Sequence, residues 1–241
     1  MTEAPDARIW FLRNTPMFQD QSESMYESVG SRSVLLDFER GDVLPPVEGG
    51  CAVIYLLRSG QVKLRSQTDT GKEIILDVLG PGGVFGPLEK VVEDHTAKGT
   101  TGSLAALASE AVAISKGSAF KYDLDYFNDL VHRRPTLMVN VSRILGLRRK
   151  QLELRLARLL YRSSLGKVAG LLAELGERYG HKEGNQVQLD VRLTHQEMAS
   201  IVGLKRETVS EALADLEYRG MIIAGRGNVT LLKPGELDKI Q

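Results

Sequence analysis

Residues 193–221 carry the pattern that most restricts the fold, which is two helices separated by a tight turn. Thr194 can cap the first helix, and Glu197, three residues later, completes a capping box. Gly203 ends this helix at a point where the backbone must take a left-handed or crowded conformation. The second helix is predicted over residues 205–218, and an apolar stripe buries one of its sides. That stripe consists of Val209, Leu213 and Leu216.

The N-terminal end of the second helix is exposed in this arrangement and is suited to contacting DNA bases. A helix-turn-helix protein inserts this end of its second helix into the major groove. Arginine matches the O6 and N7 acceptors of guanine, and glutamate accepts from N4 of cytosine. The predicted base contacts are Lys205, Arg206, Glu207 and Ser210. The alternative interpretation is a pair of packed helices with a solvated charged face.

Two short strands are predicted after the second helix. Runs at residues 221–223 and 229–232 flank Gly225-Arg226-Gly227-Asn228, which is a hairpin turn signal. A helix-turn-helix followed by a two-stranded wing is a winged helix. Arg226, at the tip of this wing, is a predicted phosphate contact, with a merely solvated arginine as the alternative.

Length and composition exclude several classes of protein. A chain of 241 residues is long enough for two domains. No run approaches the roughly 18 apolar residues that span a bilayer, and the first residues form no apolar signal core. We therefore expect a cytoplasmic protein with no membrane partner. The single cysteine, Cys51, excludes a disulfide framework and cannot hold an iron–sulfur cluster alone.

The net charge of zero hides a segregation of charge along the chain. Residues 1–132 carry 12 Lys and Arg against 19 Asp and Glu, residues 133–182 carry 12 against 3, and residues 183–241 carry 7 against 9. Because a local basic surface suffices to attract phosphates, neutrality does not argue against DNA binding. A solvated helix face is the alternative for the basic segment.

The pattern between Ser33 and about Ile114 is that of short strands separated by turns. Strands of this length and spacing indicate an antiparallel barrel or sandwich. The predicted strands cover residues 33–36, 52–57, 61–65, 73–79 and 111–114.

A long helical stretch follows the strands, from about residue 126 to 160. Its apolar residues fall on two sides, so that one side can pack on the barrel and the other on a second copy of the helix. The predicted dimer contacts are Met138, Val141, Leu145, Leu152 and Leu159. A single helix buried on both sides within a monomer is the alternative. A further helix is predicted from residue 163 towards 185, ending near Gly180.

The order of barrel, long helix and winged helix resembles the CRP/FNR superfamily of bacterial transcription regulators, named after the cyclic-AMP receptor protein and the fumarate–nitrate regulator. The resemblance covers nearly the whole chain and is most specific around Arg206-Glu207-Thr208-Val209. It implies an α+β fold, with a cyclic-nucleotide-binding-like antiparallel β-roll, a long dimerisation helix and a C-terminal winged helix-turn-helix. The implied segments are a helical lead (1–30), the β-roll (31–125), the dimerisation helix (126–160) and the DNA-binding domain (161–241).

The resemblance also implies roles for particular residues and partners. Arg206 and Glu207 would recognise a half-site containing a G·C pair, while the start of the first helix lies against the phosphate backbone. The implied phosphate contacts are Thr194, His195 and Gln196. RNA polymerase is an implied further partner. Glu211 stands where an arginine is common in the family, which changes the half-site that we expect.

The predicted sensor domain departs from the pattern of cyclic-AMP binders in the family. Pro87 follows Phe85-Gly86, where those proteins carry a glutamate, and residues 98–103 contain no arginine–serine pair. Leu152 and Glu153 stand at the positions of the adenine-contacting pair. We therefore expect no cyclic AMP bound in the usual mode and no cofactor, and we leave open whether any small effector binds. The candidates for an anionic effector are Arg65, Arg148 and Arg149, with solvated or ion-paired arginines as the alternative.

Two other functions compete with a DNA-binding regulator. A cupin-like β-barrel enzyme would need clustered metal ligands, but the histidines are scattered along the chain. A sensor or scaffold module with a non-functional DNA-binding head is the other alternative. We find no catalytic or metal-binding constellation. The sequence therefore predicts a homodimeric, sequence-specific transcription regulator that binds a near-palindromic site on double-stranded DNA.

Overall fold

The computed structural model describes residues 5–67, 71–92, 110–225 and 228–240. The chain forms two compact units, one made of residues 1–66 and 78–150 and the other of residues 67–77 and 151–241. The boundary between them falls inside one long helix.

The first unit begins with helices that pack on the outside of a β-roll. They are α1 (Pro5–Arg13), a 3₁₀ turn (Pro16–Phe18) and α2 (Glu23–Arg32). The roll is built from nine strands within the described residues: β1 (Val34–Phe38), β2 (Val43–Leu44), β3 (Val47–Glu48), β4 (Cys51–Ser59), β5 (Val62–Gln67), β6 (Glu73–Leu79), β7 (Val84–Phe85), β8 (Glu110–Ala113) and β9 (Gly117–Asp123). A one-turn helix, α3 (Glu89–Val92), follows β7.

Two antiparallel sheets make up the roll, with strand orders β1-β9-β4-β3 and β2-β8-β5-β6, and β7 pairs with β4. Strand β4 explains how the core is divided. Val53, Tyr55 and Leu57 belong to the apolar cluster inside the roll. Ile54 and Leu56 alternate with them and belong to the cluster beneath the helices. Because successive side chains of a strand point to opposite faces, a strand covered on both sides has a continuous apolar run.

Two helices, rather than one, follow the roll. They are α4 (Leu124–His132) and α5 (Pro135–Tyr161). Asp123 caps α4 by accepting from the backbone N–H groups of Asp125 and Tyr126. The predicted continuous helix over residues 126–160 is interrupted before Pro135, because the residue before a proline is disfavoured in helical conformation.

The second unit contains the C-terminal helices and a four-stranded sheet. The helices are α6 (Ser164–Tyr179), α7 (His195–Val202), α8 (Arg206–Tyr218) and α9 (Pro234–Leu237). The strands are β10 (Gly180–Glu183), β11 (Gln186–Leu189), β12 (Ile222–Ala224) and β13 (Val229–Leu231), in the order β10-β11-β13-β12. The predicted wing hairpin is present as β12 and β13. It is extended by a second hairpin over residues 180–189, part of which was predicted as the end of a helix.

The structure confirms the predicted α+β fold class, with a β-roll, a long helix and a winged helix-turn-helix. Among the residues that the structure describes, no helix combines the length and the apolar character needed to cross a bilayer.

Candidate DNA-binding surface

Helix α7 is fixed at both ends by local interactions. The Thr194 side chain accepts from the backbone N–H of Glu197 at 3.1 Å, and the Glu197 carboxylate accepts from the backbone N–H of Thr194 at 2.8 Å. This reciprocal pair is the predicted capping box. Gly203 ends the helix with φ 66°, in the left-handed region that glycine adopts without strain.

Helix α8 buries one side and exposes the other, as predicted. Val209, Ala212, Leu213 and Leu216 form the buried side. Lys205, Arg206 and Glu207, at its N-terminal end, are exposed, and Ser210 is half-buried. The structure therefore leaves the three charged candidates for base contact open to a ligand.

A hydrogen-bond chain connects the beginning of α7 to α8. Nδ1 of His195 lies 2.7 Å from Oγ of Ser210, and this hydroxyl donates to the backbone carbonyl of Arg206 at 3.1 Å. Two residues assigned to different roles, His195 to phosphate and Ser210 to bases, are thus joined to each other. Thr194, His195 and Gln196 are all exposed at this end of α7.

One hydrogen bond to a side chain of α8 holds the wing against this helix, and a backbone hydrogen bond closes the wing itself. The N–H of Ala224 donates to the Glu217 carboxylate at 3.1 Å, and the N–H of Gly225 donates to the carbonyl of Asn228 at 2.8 Å. Arg226, the predicted phosphate contact at the tip, lies outside the described residues.

The C-terminal end of α8 carries a bidentate ion pair. Arg219 donates from Nε and from a terminal guanidinium nitrogen to the two carboxylate oxygens of Asp215, both at 2.9 Å. The hydrogen bond from Arg219 lowers the pKa of Asp215.

A charged cluster beneath these helices was not predicted. Glu174 of α6 accepts from Arg155 and Arg158 of α5, each at 2.7 Å, and lies 3.5 Å from Arg178. Arg178 in turn pairs with Asp77 at 2.8 Å. Burial raises the pKa of Glu174, but the three arginines together outweigh burial and hold that pKa below its ordinary value. We call these five residues the Glu174 cluster.

The predicted dimer contacts on α5 differ in their exposure. Val141 is 0% exposed because it belongs to the core beneath the first unit's helices, so it cannot contact a second copy. Met138 and Leu145 are partly buried against the same core. Leu159 lines a small cavity with Ile201 of its own chain. Leu152 is 50% exposed.

A different set of apolar residues is exposed on α5. The set consists of Val139, Leu147, Leu154 and Tyr161, while Leu152, Leu156 and Leu160 are exposed on another side of the helix. Because the residues of the set are spaced seven or eight residues apart, they lie on one side of the helix. We call the four residues of the set the α5 stripe. The apolar periodicity alone could not identify it, since leucines occur on every side of this helix.

The candidate effector residues have partners within the protein. Arg65 pairs with Glu110 at 3.0 Å, and Arg148 donates to the backbone carbonyl of Val84. Arg149 is exposed. Residues 98–103, where an arginine–serine pair would be expected, lie outside the described residues.

The interior of the roll contains aromatic side chains in direct contact. The rings of Tyr55 and Phe85 stack with centroids 4.9 Å apart, and the Tyr55 hydroxyl donates to the carbonyl of Pro45 at 3.0 Å. Burial, with a smaller contribution from Glu48, raises the pKa of Tyr55 to about 12. In the described part of the chain, no group of three or more His, Cys, Asp or Glu residues is arranged to hold a metal ion.

Comparison with known families assigns both parts of the chain. Residues 35–134 match the cyclic nucleotide-binding domain, and residues 166–240 match the Crp-like helix-turn-helix domain. The chain is 31% identical over 212 residues to a "CRP-like cAMP-activated global transcriptional regulator" of Mycobacterium tuberculosis, covering 88% of this chain and 89% of the relative. It is 26% identical to the "Global nitrogen regulator" of Synechococcus elongatus, covering 90% and 95%.

Solved structures share the fold over most of the chain. A mutant of CooA from Carboxydothermus hydrogenoformans superposes with a TM-score of 0.70 at 18% identity, covering 99% of this chain and 96% of that one. A CRP/FNR-family transcriptional regulator from Thermus thermophilus gives a TM-score of 0.63 at 25% identity, covering 86% and 98%.

Proposed function

Because this chain belongs to the CRP/FNR family of bacterial transcription regulators, we propose that it binds, as a cytoplasmic homodimer, a near-palindromic site on double-stranded DNA. The observation that carries this proposal is the exposed N-terminal end of α8, supported by the capped helix α7. Arg206 and Glu207 would contact bases there. Arginine suits guanine and glutamate suits cytosine, so each half-site would contain both bases.

The phosphate backbone would be contacted by residues that flank this end of α8. Thr194, His195 and Gln196 are exposed at the beginning of α7. Lys205, predicted from the sequence as a base contact, is assigned to phosphate in this proposal because it precedes the first turn of α8. The Thr194 side chain already caps α7, so its contact with phosphate would add to a structural role. Arg226 would contact phosphate from the wing.

Two copies would pair through the α5 stripe. Exposed leucines seven residues apart on a long helix favour association with an equivalent helix, because pairing removes them from water. A two-fold dimer would place two recognition helices about 34 Å apart, one turn of DNA, on a site of about 20 base pairs. RNA polymerase is the further partner that the family relationship suggests.

Cyclic AMP in the usual mode is not part of the proposal. Pro87 has no side-chain acceptor for a ribose hydroxyl. Arg65 and Arg148 are already bonded to Glu110 and Val84. We propose that the protein binds DNA without cyclic AMP, and the proposal includes no enzymatic step.

Selection of bound sequences from a random duplex library, with purified ligand-free protein, tests the DNA-binding proposal. We expect an enriched near-palindrome. Arg206→Ala should then cost about 1–3 kcal/mol on that site and relax specificity at one base pair of each half. The exposed Lys239 of the C-terminal segment provides a charge-matched control, because Lys239→Ala should leave base preference unchanged. Enrichment only with added cyclic AMP would contradict ligand independence, and no enrichment in either condition would contradict sequence-specific binding.

Sedimentation of two leucine variants tests the dimer. Leu154 and Leu152 are 51% and 50% exposed, but they lie about 160° apart around the helix. Leu154→Lys should shift the protein towards monomer, while Leu152→Lys should not. If Leu152→Lys gives monomer and Leu154→Lys does not, the two copies pair through the side of the helix that was predicted from the sequence.

A further inference from the structure

Ser210 is poorly placed to contribute a donor to a base, although it lies near the exposed end of α8. Its hydroxyl donates to the Arg206 carbonyl at 3.1 Å, and Nδ1 of His195 lies 2.7 Å from the same oxygen. Since a hydroxyl has one proton, the bond to the carbonyl uses it, and His195 is then the donor to Ser210. Ser210 therefore connects the two helices rather than presenting a proton to DNA.

One side of α8 carries a row of acidic residues. Glu207, Glu211 and Asp215 follow one another at intervals of four residues, so their side chains are neighbours on the helix surface. Like charges at this spacing destabilise a helix by about 0.2–0.5 kcal/mol per pair. The negative charges also repel DNA phosphates. The row therefore lowers both the stability of the helix and its affinity for DNA of any sequence.

The acids of α8 divide into two groups by their bonding. Asp215 pairs with Arg219 at 2.9 Å, and Glu217 accepts from the backbone N–H of Ala224 at 3.1 Å. Glu207 and Glu211 are exposed, and neither forms an ion pair with another described residue. The acids in the C-terminal half are thus used within the fold, whereas those in the N-terminal half are open to a ligand.

We propose that Glu211 determines operator specificity by accepting a hydrogen bond from the N4 amino group of a cytosine. This inference rests on the proposed function, in which α8 lies in the major groove. A carboxylate only accepts hydrogen bonds, and the major-groove donors are the amino groups of cytosine and adenine. Guanine and thymine present acceptors at the equivalent positions and are disfavoured.

The helix geometry sets the distance between the two cytosines. Glu207 and Glu211 are separated by four residues, which is about 6 Å along a helix axis. At about 3.4 Å per base step, the base contacted by Glu211 lies no more than about two steps from the base contacted by Glu207. Each half-site then contains one guanine, recognised by Arg206, and two cytosines.

Affinities for single base-pair substitutions of the selected operator test this inference. At one position per half-site, the wild type should prefer cytosine by about tenfold or more. Glu211→Ala should remove that preference and leave the preferences due to Arg206 and Glu207 unchanged. Glu211→Gln should move the preferred base from cytosine to adenine, because an amide both donates to N7 and accepts from N6.

Glu217→Gln is the matched control, since it removes one acidic charge from the same helix at a carboxylate engaged by the wing. It should raise affinity for all sequences alike and leave base preference unchanged. If Glu211→Ala also raises affinity for all sequences alike and leaves base preference unchanged, Glu211 contacts no base and the inference is overturned. If the wild type selects no operator at all, the proposed function itself has failed, so the two failures are distinguishable. Circular dichroism of each variant verifies that it is folded.

Discussion

Replacing Glu174 with glutamine tests whether the Glu174 cluster holds the second unit together. The Glu174 side chain is 11% exposed and accepts from Arg155 and Arg158, whose side chains are 12% and 19% exposed. Glutamine has nearly the same shape but no charge. The substitution therefore removes the attraction between these groups without creating a cavity.

The expected loss of unfolding free energy depends on which hydrogen bonds and ion pairs the arginines keep. Removing one partner of a buried ion pair costs about 3–5 kcal/mol, because the remaining charge stays buried. Glutamine keeps one oxygen acceptor, Arg155 keeps its bond to the carbonyl of Leu76, and Arg178 keeps Asp77. We therefore expect the lower end, about 3 kcal/mol. For a unit of about 100 residues, this lowers Tm by about 12 °C.

Thermal and urea unfolding, followed by circular dichroism, measure this loss, and Glu177→Gln on the same helix is the control. Glu177 is exposed, so its replacement should change stability by less than about 0.5 kcal/mol. If Glu174→Gln and Glu177→Gln have the same free energy of unfolding, the argument that the cluster stabilises the unit is refuted.

The pH dependence provides an independent check on the same variant. Burial raises the pKa of Glu174, but the surrounding arginines bring it below the ordinary 4.5. A carboxylate with a lowered folded-state pKa contributes stability above its unfolded pKa and loses it as pH falls through the folded value. The difference between wild type and Glu174→Gln should be constant from pH 7 to about 5 and shrink below about 4.5. A difference that persists unchanged in acid would show that charge is not its source.

Two substitutions in the helix-turn-helix should affect stability by predictable amounts. Thr194→Ala removes the cap of α7 and should cost about 1 kcal/mol in urea unfolding, while Thr194→Ser, which keeps the hydroxyl, should cost much less. If Thr194→Ala is as stable in urea as the wild type, water replaces the hydrogen bond of the cap. Gly203→Ala places a side chain at φ 66° and should cost about 1–2 kcal/mol, whereas Gly235→Ala, with open space around it, should be nearly neutral. Equal effects at the two glycines would contradict the left-handed conformation.

Local signals explain why the helix-turn-helix could be predicted from the sequence. The capping box at Thr194 and Glu197 and the left-handed Gly203 depend on residues within one or two turns. The alternation in β4 is likewise a property of consecutive residues. By contrast, the hairpin β10–β11 begins with Gly180-His181-Lys182-Glu183, which has no apolar alternation. These four residues form a strand because they pair with β11, and β11 in turn pairs with β13, about 40 residues further along the chain.

Surface and core roles on α5 could not be separated by periodicity. The helix has apolar residues on several sides, and only the packed structure shows that Val141 faces its own core while Leu154 is exposed. The Glu174 cluster was missed for a related reason. Arg155 and Arg158 have the spacing of a charged helix face, and nothing in the sequence shows that an acid on another helix lies opposite them.

The cluster also changes the interpretation of the charge segregation. Residues 133–182 have a surplus of basic residues that, taken alone, suggests a surface for phosphates. In the second unit, however, several of these arginines are bonded within the protein. Arg155 and Arg158 pair with Glu174, Arg178 pairs with Asp77, and Arg162 donates to the carbonyl of Asp238 at 2.7 Å. Their charges stabilise the fold and are only weakly available to DNA.

DNA binding should therefore depend less on salt than the basic segment suggests. The proposed phosphate contacts include two permanent cations per head, Lys205 and Arg226, so a dimer neutralises about four phosphates. The slope of log K against log salt concentration should then be about −4, since each neutralised phosphate contributes about −0.9. Lys205→Ala should bring the slope about two units closer to zero, one for each head. A wild-type slope of about −8 or steeper would show that the internally bonded arginines also contact phosphate. A slope near −4 would mean that base contacts by α8, including Glu207 and Glu211, supply much of the affinity for the operator.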